Sequence, residues 1–281
     1  MAASHGETVK VPLVHDSAPR VRLVSQNSGT ANRSIACRRV VTLLGSRSGC
    51  KVHLRHGSVS AVHVAIVNTG TSVIAVDLVT TRPPMLNSLR MEHERLTDGD
   101  VLALPPFVFR IAIAPPDENG NADAHPFLDP TPHVIALEHI TTQRLLQSNR
   151  DVCIIGRRNG CDIVLSDNRV SRAHCLLFSY FGYPVVFDLL SRNQTLVNDT
   201  PAAFRALKNG DILTIGDTRF RVHLVESKVG TNNKPKGRDN GNSPVALSPV
   251  TVERDMIDIE ATESSQRWTI ADNIKKASRK K

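Results

Sequence analysis

Aromatic side chains are scarce in this 281-residue sequence: one Trp, two Tyr and eight Phe, or 4% of the chain. Its cores must therefore rest on Val, Ile and Leu, and its basic stretches carry almost no ring on which a nucleic-acid base could stack. No apolar run approaches the roughly 18–20 residues needed to span a bilayer. The N-terminal MAASHGETVK lacks the apolar centre of a secretion signal. Five cysteines (Cys37, Cys50, Cys153, Cys161 and Cys175) form no Cys-x-x-Cys pair, which leaves reduced, buried thiols as the expectation rather than a metal or redox site. Also missing are a Walker loop, a Gly-x-Ser-x-Gly elbow, a His-Glu-His metal set and a kinase catalytic loop. The expectation is a cytoplasmic protein that is not an enzyme, with no catalytic residue, no metal ligand, no cofactor and no membrane partner.

What is present is a positive charge and a repeat. The formal net charge of +8 and pI near 9.5 favour anionic partners. The segment LLGSRSGCKVHL, from Leu43, resembles IIGRRNGCDIVL, from Ile154. One constant offset of 111 positions pairs Gly45 with Gly156, Cys50 with Cys161, Ser60 with Ser171, His63 with His174, Asp77 with Asp188 and Asn87 with Asn198. It also pairs the Gly99-Asp100 turn with Gly210-Asp211, so about 70 residues align without a gap. A period of that length means two copies of one domain rather than a solenoid of small repeats.

Within each copy, short runs such as VTLLG (41–45), YPVVFDLL (183–190) and the alternating FRVHLV (220–225) have strand length and composition. Asn-Gly, Asn-Asp and Asn-Gly-Asp turn signals separate them. Helical periodicity is almost absent, so an all-β class is expected, with two packed sheets in each copy. Composition divides the chain into a disordered N-terminus (1–18), a first β-sandwich (19–114), a Pro/Asn/Asp-rich linker (115–132), a second β-sandwich (133–226) and a disordered basic tail (227–281). The tail ends with five basic residues in its last seven and holds a weak amphipathic pattern near WTIADNIKKA.

The second copy strings together IGRRNGCDIVLSDNRVSRAHC, FDLLSRNQTLVND, LKNGDILTIG and FRV. In order and spacing these motifs resemble a forkhead-associated (FHA) domain over nearly all of residues 134–225. The resemblance implies an eleven-stranded β-sandwich whose loops at one end bind phosphothreonine peptides, a recognition mode that depends on arginine. The chemistry agrees, because a phosphothreonine carries about −1.5 to −2 charge and three strong acceptor oxygens. A guanidinium fork matches that geometry better than an ammonium does. The resemblance assigns the fork to Arg157, with Gly156 before it for a tight turn, and a short hydroxyl donor to Ser171. Arg172 stands where the family places another polar or basic phosphate contact, Arg192 lies on the rim, and the side-chain amide of Asn193 holds the peptide backbone. Arg169 stands where the family reads the third residue after the phosphothreonine, so an acidic residue is expected there. His174 braces the Ser171 loop, and Asn198 supports a turn. Gln194 departs from the pattern, since the family usually has glycine there.

The first copy keeps the scaffold and loses the ligand surface. At the same offset Arg157 becomes Ser46, Asn193 becomes Arg82, Arg172 becomes Ala61 and Arg169 becomes Ser58, while Pro83 and Pro84 stiffen the loop. It reads as a degenerate FHA-like domain that packs against the second copy or serves as a protein interface, with Arg47, Lys51, Arg55 and Arg82 as a solvated basic face rather than an anion patch of different geometry. The function expected is a phosphothreonine-binding adaptor in serine/threonine kinase signalling, acting through the second copy. The alternative is a self-associating scaffold, or a basic nucleic-acid binder without phosphopeptide recognition. The chain's own tail is a further candidate ligand, through Thr269 (acidic Asp272 three places on) or Thr262.

Overall fold

The computed structural model describes residues 12–27, 33–116 and 133–226. Thr262, Thr269, the rest of the 227–281 tail and its weak helical segment lie outside the described residues, as does all but the start of the linker. No helix occurs among the described residues. Eleven strands run from Arg20 to Ala114 and eleven more from His133 to Glu226. The all-β expectation therefore holds in both copies.

Each copy forms a six-stranded and a five-stranded sheet, and strand order repeats from copy to copy. In the second copy the five-stranded sheet runs Ile163–Val164, Val152–Gly156, Cys175–Tyr180, Tyr183–Asp188 and Phe204–Ala206. Its counterpart in the first copy runs Val52–His53, Val41–Gly45, Val64–Asn68, Val73–Asp77 and His93–Arg95. All pairings are antiparallel except the short parallel contact between the first two strands of each sheet. Tight turns are set by Asn198-Asp199 and Asn87-Ser88, all four at positive φ (51°, 59°, 50° and 69°), the left-handed pair that a two-residue hairpin requires. Asn198 fixes its turn as expected: its amide donates to Asp211 and its oxygen accepts from the Ile212 N–H, both at 2.8 Å.

Alternation along the strands explains three cores rather than two. Leu44, Val64, Ile66, Val73 and Ala75 face the six-stranded sheet of their own copy. Cys153, Ile155, Cys175, Leu177 and Val186 do the same in the second. The other faces of the two five-stranded sheets bury each other. Val41, Leu43, Ala65, Val67, Ile74 and Val76 pack with Val152, Ile154, Leu176, Phe178, Val185 and Phe187 in one cluster. Runs such as VTLLG and VCIIG are apolar throughout because both their faces are covered.

The N-terminal expectation needs correction. Residues 12–18 fall inside the segment expected to be disordered, yet Ala18 is fully buried. The His15 N–H donates to the Tyr180 hydroxyl at 2.9 Å, and the Asn68 amide donates to the Pro19 carbonyl at 2.7 Å just beyond. Polar handles on the folded body, invisible to composition, tie this segment down.

All five cysteines are free and buried. Burial pushes the thiols of Cys153 and Cys161 up to about 12, which keeps them protonated and unreactive.

Candidate functional site

The strand Val152–Gly156 delivers Arg157 to the end of the second sandwich. A Cβ at Gly156 would lie 2.3 Å from the Arg172 carbonyl oxygen, so glycine is needed for close backbone approach and not for the tight turn expected from sequence. That approach lets the Arg157 N–H donate to the Ser171 carbonyl (2.9 Å) and the Arg158 N–H to the Arg172 carbonyl (3.1 Å). Arg157 Nε donates to the Val170 carbonyl at 3.2 Å, which pins the guanidinium at its base. Its two Nη groups have no protein acceptor among the described residues, and the side chain is exposed.

Ser171 sits beside it, its hydroxyl accepting the Arg192 N–H at 3.1 Å, which leaves the hydroxyl proton free for an incoming acceptor. His174 braces this loop, as the resemblance implied: its Nδ1 accepts the Ser171 N–H at 3.0 Å. The ring is fully buried. Burial pulls the imidazole below its ordinary range, and Asp188, 3.9 Å from Nε2, opposes that only in part. The neutral ring is the form that can accept the Ser171 bond.

Asp188 organises the neighbouring loop. Its carboxylate accepts from the N–H and hydroxyl of Ser191 (2.7 and 2.6 Å) and from the N–H and hydroxyl of Thr195 (2.9 and 2.8 Å). Between those anchors, Arg192, Asn193 and Gln194 are exposed. Gln194 takes φ 55°, a left-handed backbone that explains why glycine suits this position. The Asn193 amide nitrogen donates to the Arg169 carbonyl at 2.7 Å, which orients the side chain and leaves its oxygen as an acceptor for a peptide N–H.

Arg169 is not idle. Its Nη1 meets the Asp217 carboxylate at 2.5 Å, with both side chains about two-thirds exposed. The carboxylate of Asp167 accepts the Asp217 N–H (2.7 Å) and the Arg169 N–H (2.8 Å), and these two bonds hold its carboxyl below the usual range. Arg172 and Arg192 are exposed on the same loops. The structure thus gathers the Arg157, Ser171 and Asn193 loops at one end of the second sandwich and places Arg169 in an existing ion pair.

The first copy repeats this frame without the fork. The Ser46 N–H donates to the Ser60 carbonyl at 2.9 Å, and His63 Nδ1 accepts the Ser60 N–H at 3.0 Å. A Cβ at Gly45 would sit 2.3 Å from the Ala61 carbonyl, as at Gly156. Arg47, read from sequence as part of a solvated basic face, instead donates from Nη1 to the Leu190 carbonyl of the second copy at 2.5 Å. Its counterpart Arg158 donates from Nη1 to the Val79 carbonyl of the first copy at 2.7 Å. Sequence reasoning gave roles to neither Arg158, Asp188 nor Asp217. The first two stand opposite identical residues at the 111-residue offset, Arg47 and Asp77, and that identity was the available signal.

No curated protein matches the chain. Among solved structures, one from a study of phosphothreonine-dependent FHA domain interactions is 28% identical, with 32% of this chain and 95% of that one covered and a TM-score of 0.31. Mycobacterium tuberculosis EmbR, solved with a low-affinity phosphopeptide, is 28% identical over 34% of this chain, at a TM-score of 0.32; only 26% of EmbR is covered. The FHA domain of an Arabidopsis thaliana hypothetical protein is 26% identical, with 40% of this chain and 92% of that one covered, at a TM-score of 0.31. The family model described as FHA domain matches twice, at residues 42–105 and 153–216, and the chain carries two FHA domains in tandem.

Proposed function

We propose that the protein is a phosphothreonine-peptide-binding adaptor in serine/threonine kinase signalling and that its second FHA domain, residues 133–226, makes the contact. The observation that carries this reading is the state of Arg157. Its Nε is held by a backbone carbonyl while both Nη groups face no protein acceptor among the described residues, beside a Ser171 hydroxyl with a proton to give. Two donors of that kind on a fixed frame suit a phosphate dianion. The Asn193 oxygen, oriented through the Arg169 carbonyl, supplies a grip on an extended peptide backbone. The first domain has serine in place of the fork and is assigned no phosphothreonine of its own. Free, buried thiols in all five cysteines support a reducing compartment such as the cytoplasm.

Calorimetric titration of the full chain with a phosphothreonine peptide bearing Asp at the third following position tests this. Binding is expected for the phosphopeptide and not for its unphosphorylated twin. Arg157→Ala should weaken it roughly 10–100-fold, the worth of a charge-assisted pair. Equal binding of both peptides, or an unaffected Arg157→Ala protein, would reject the assignment.

A further inference from the structure

Two of the polar contacts between the copies fall on the loops that carry the ligand residues. The Leu190 carbonyl, which takes Arg47 of the first copy, stands immediately before Ser191, Arg192 and Asn193. Arg158, which reaches the Val79 carbonyl, immediately follows Arg157. Both residues whose carbonyls accept these bonds sit at positive φ, 57° at Leu190 and 55° at Val79, and a β-branched residue such as Val seldom adopts that backbone. Glycines admit the contact on each side: a Cβ at Gly49 would come within 2.9 Å of the Leu190 side chain, and one at Gly160 within 3.0 Å of Val79. A strained backbone persists where its surroundings over-determine it. Here the surroundings are the other copy.

We propose that the first FHA domain is a structural part of the second domain's phosphopeptide site, with Arg47 as a positioning residue. Arg47 clamps the Leu190–Asn193 loop from outside, and the Val79 carbonyl clamps Arg158 so that Arg157 is presented on a fixed strand end. This rests on the phosphothreonine reading for its ligand but not for its geometry. Loops ordered before the peptide arrives lose less freedom on binding, and affinity gained in that way resides in slow dissociation. A basic residue that acted only through its charge would instead change association and its salt dependence.

The test uses the full chain with Arg47→Ala and Arg47→Lys. Amide hydrogen exchange of residues 190–195 without ligand reports the clamp, and stopped-flow kinetics with the phosphothreonine peptide reports its effect. Arg47→Ala should quicken exchange in that loop and raise the dissociation rate about 3–10-fold with association nearly unchanged, and Arg47→Lys should restore part of both. Unchanged exchange overturns the clamp whatever the peptide does. Quicker exchange with unchanged dissociation overturns the positioning role, as does an effect confined to association. If the parent protein binds no phosphothreonine peptide while exchange quickens in Arg47→Ala, the clamp stands and the ligand assignment falls.

Discussion

Asn193 shows how a sequence names a residue type without naming its geometry. The resemblance placed an amide where a peptide backbone would pass, and sequence could not show that its nitrogen is already committed to the Arg169 carbonyl. Arg169 is similar: its charge and position were legible, but not the Asp217 carboxylate 48 residues away that occupies it. An acidic ligand residue read by Arg169 would therefore compete with an internal acid. Asp217→Asn removes the competitor, so affinity for a phosphopeptide with Asp at the third following position should rise roughly 2–5-fold, the range for an exposed ion pair. The same peptide with Ala at that position should bind the two proteins alike. Equal gains for both peptides would remove Arg169 from the recognition of that residue.

At the scale of strands and loops, His174 and its counterpart His63 tie the loop before a central strand to the rest of each sandwich through the Ser171 and Ser60 N–H groups. Burial lowers both imidazoles below their ordinary range. The unfolded chain therefore takes up protons that the folded chain refuses as pH drops below about 6.5, and stability falls with pH from there down to the folded values. Asp77, raised by burial, acts with the opposite sign, since its folded carboxyl holds a proton that the unfolded chain has already lost. The thermal midpoint should decline between pH 7 and pH 5, and replacing both histidines with glutamine should flatten that slope. A slope unchanged in the double variant would assign the effect elsewhere. The strands themselves were legible from runs and turns because those patterns are local. That both faces of VTLLG and VCIIG are covered was not, since a continuous apolar run describes any strand buried on two sides and does not name what buries it.

For the whole molecule, the two FHA domains share one buried apolar cluster that runs between them. A second domain cut free would present Leu176, Phe178 and Phe187 to water, an apolar face that folded monomers avoid. The separated halves, residues 12–116 and 133–226, should each self-associate alone and form a one-to-one complex when mixed, measured by sedimentation. Two halves that stay monomeric and ignore each other would contradict the shared core. The contacts obey an internal two-fold, for Arg47 on Leu190 and Arg158 on Val79 are one pair used twice, yet side-chain volume does not obey it. Ala65 stands where the second copy has Leu176, Val67 where it has Phe178, Val76 where it has Phe187, all within one cluster. Gly70 meets its own counterpart Phe181, whose ring would lie 2.5 Å from any Cβ added there. Identical subunits paired across such an axis would have to place the same residue on both sides. On one chain each half is free to differ, and the small-against-large pairs use that freedom: the seam is filled by unlike partners. The same independence lets one half carry Ser46 where the other carries Arg157.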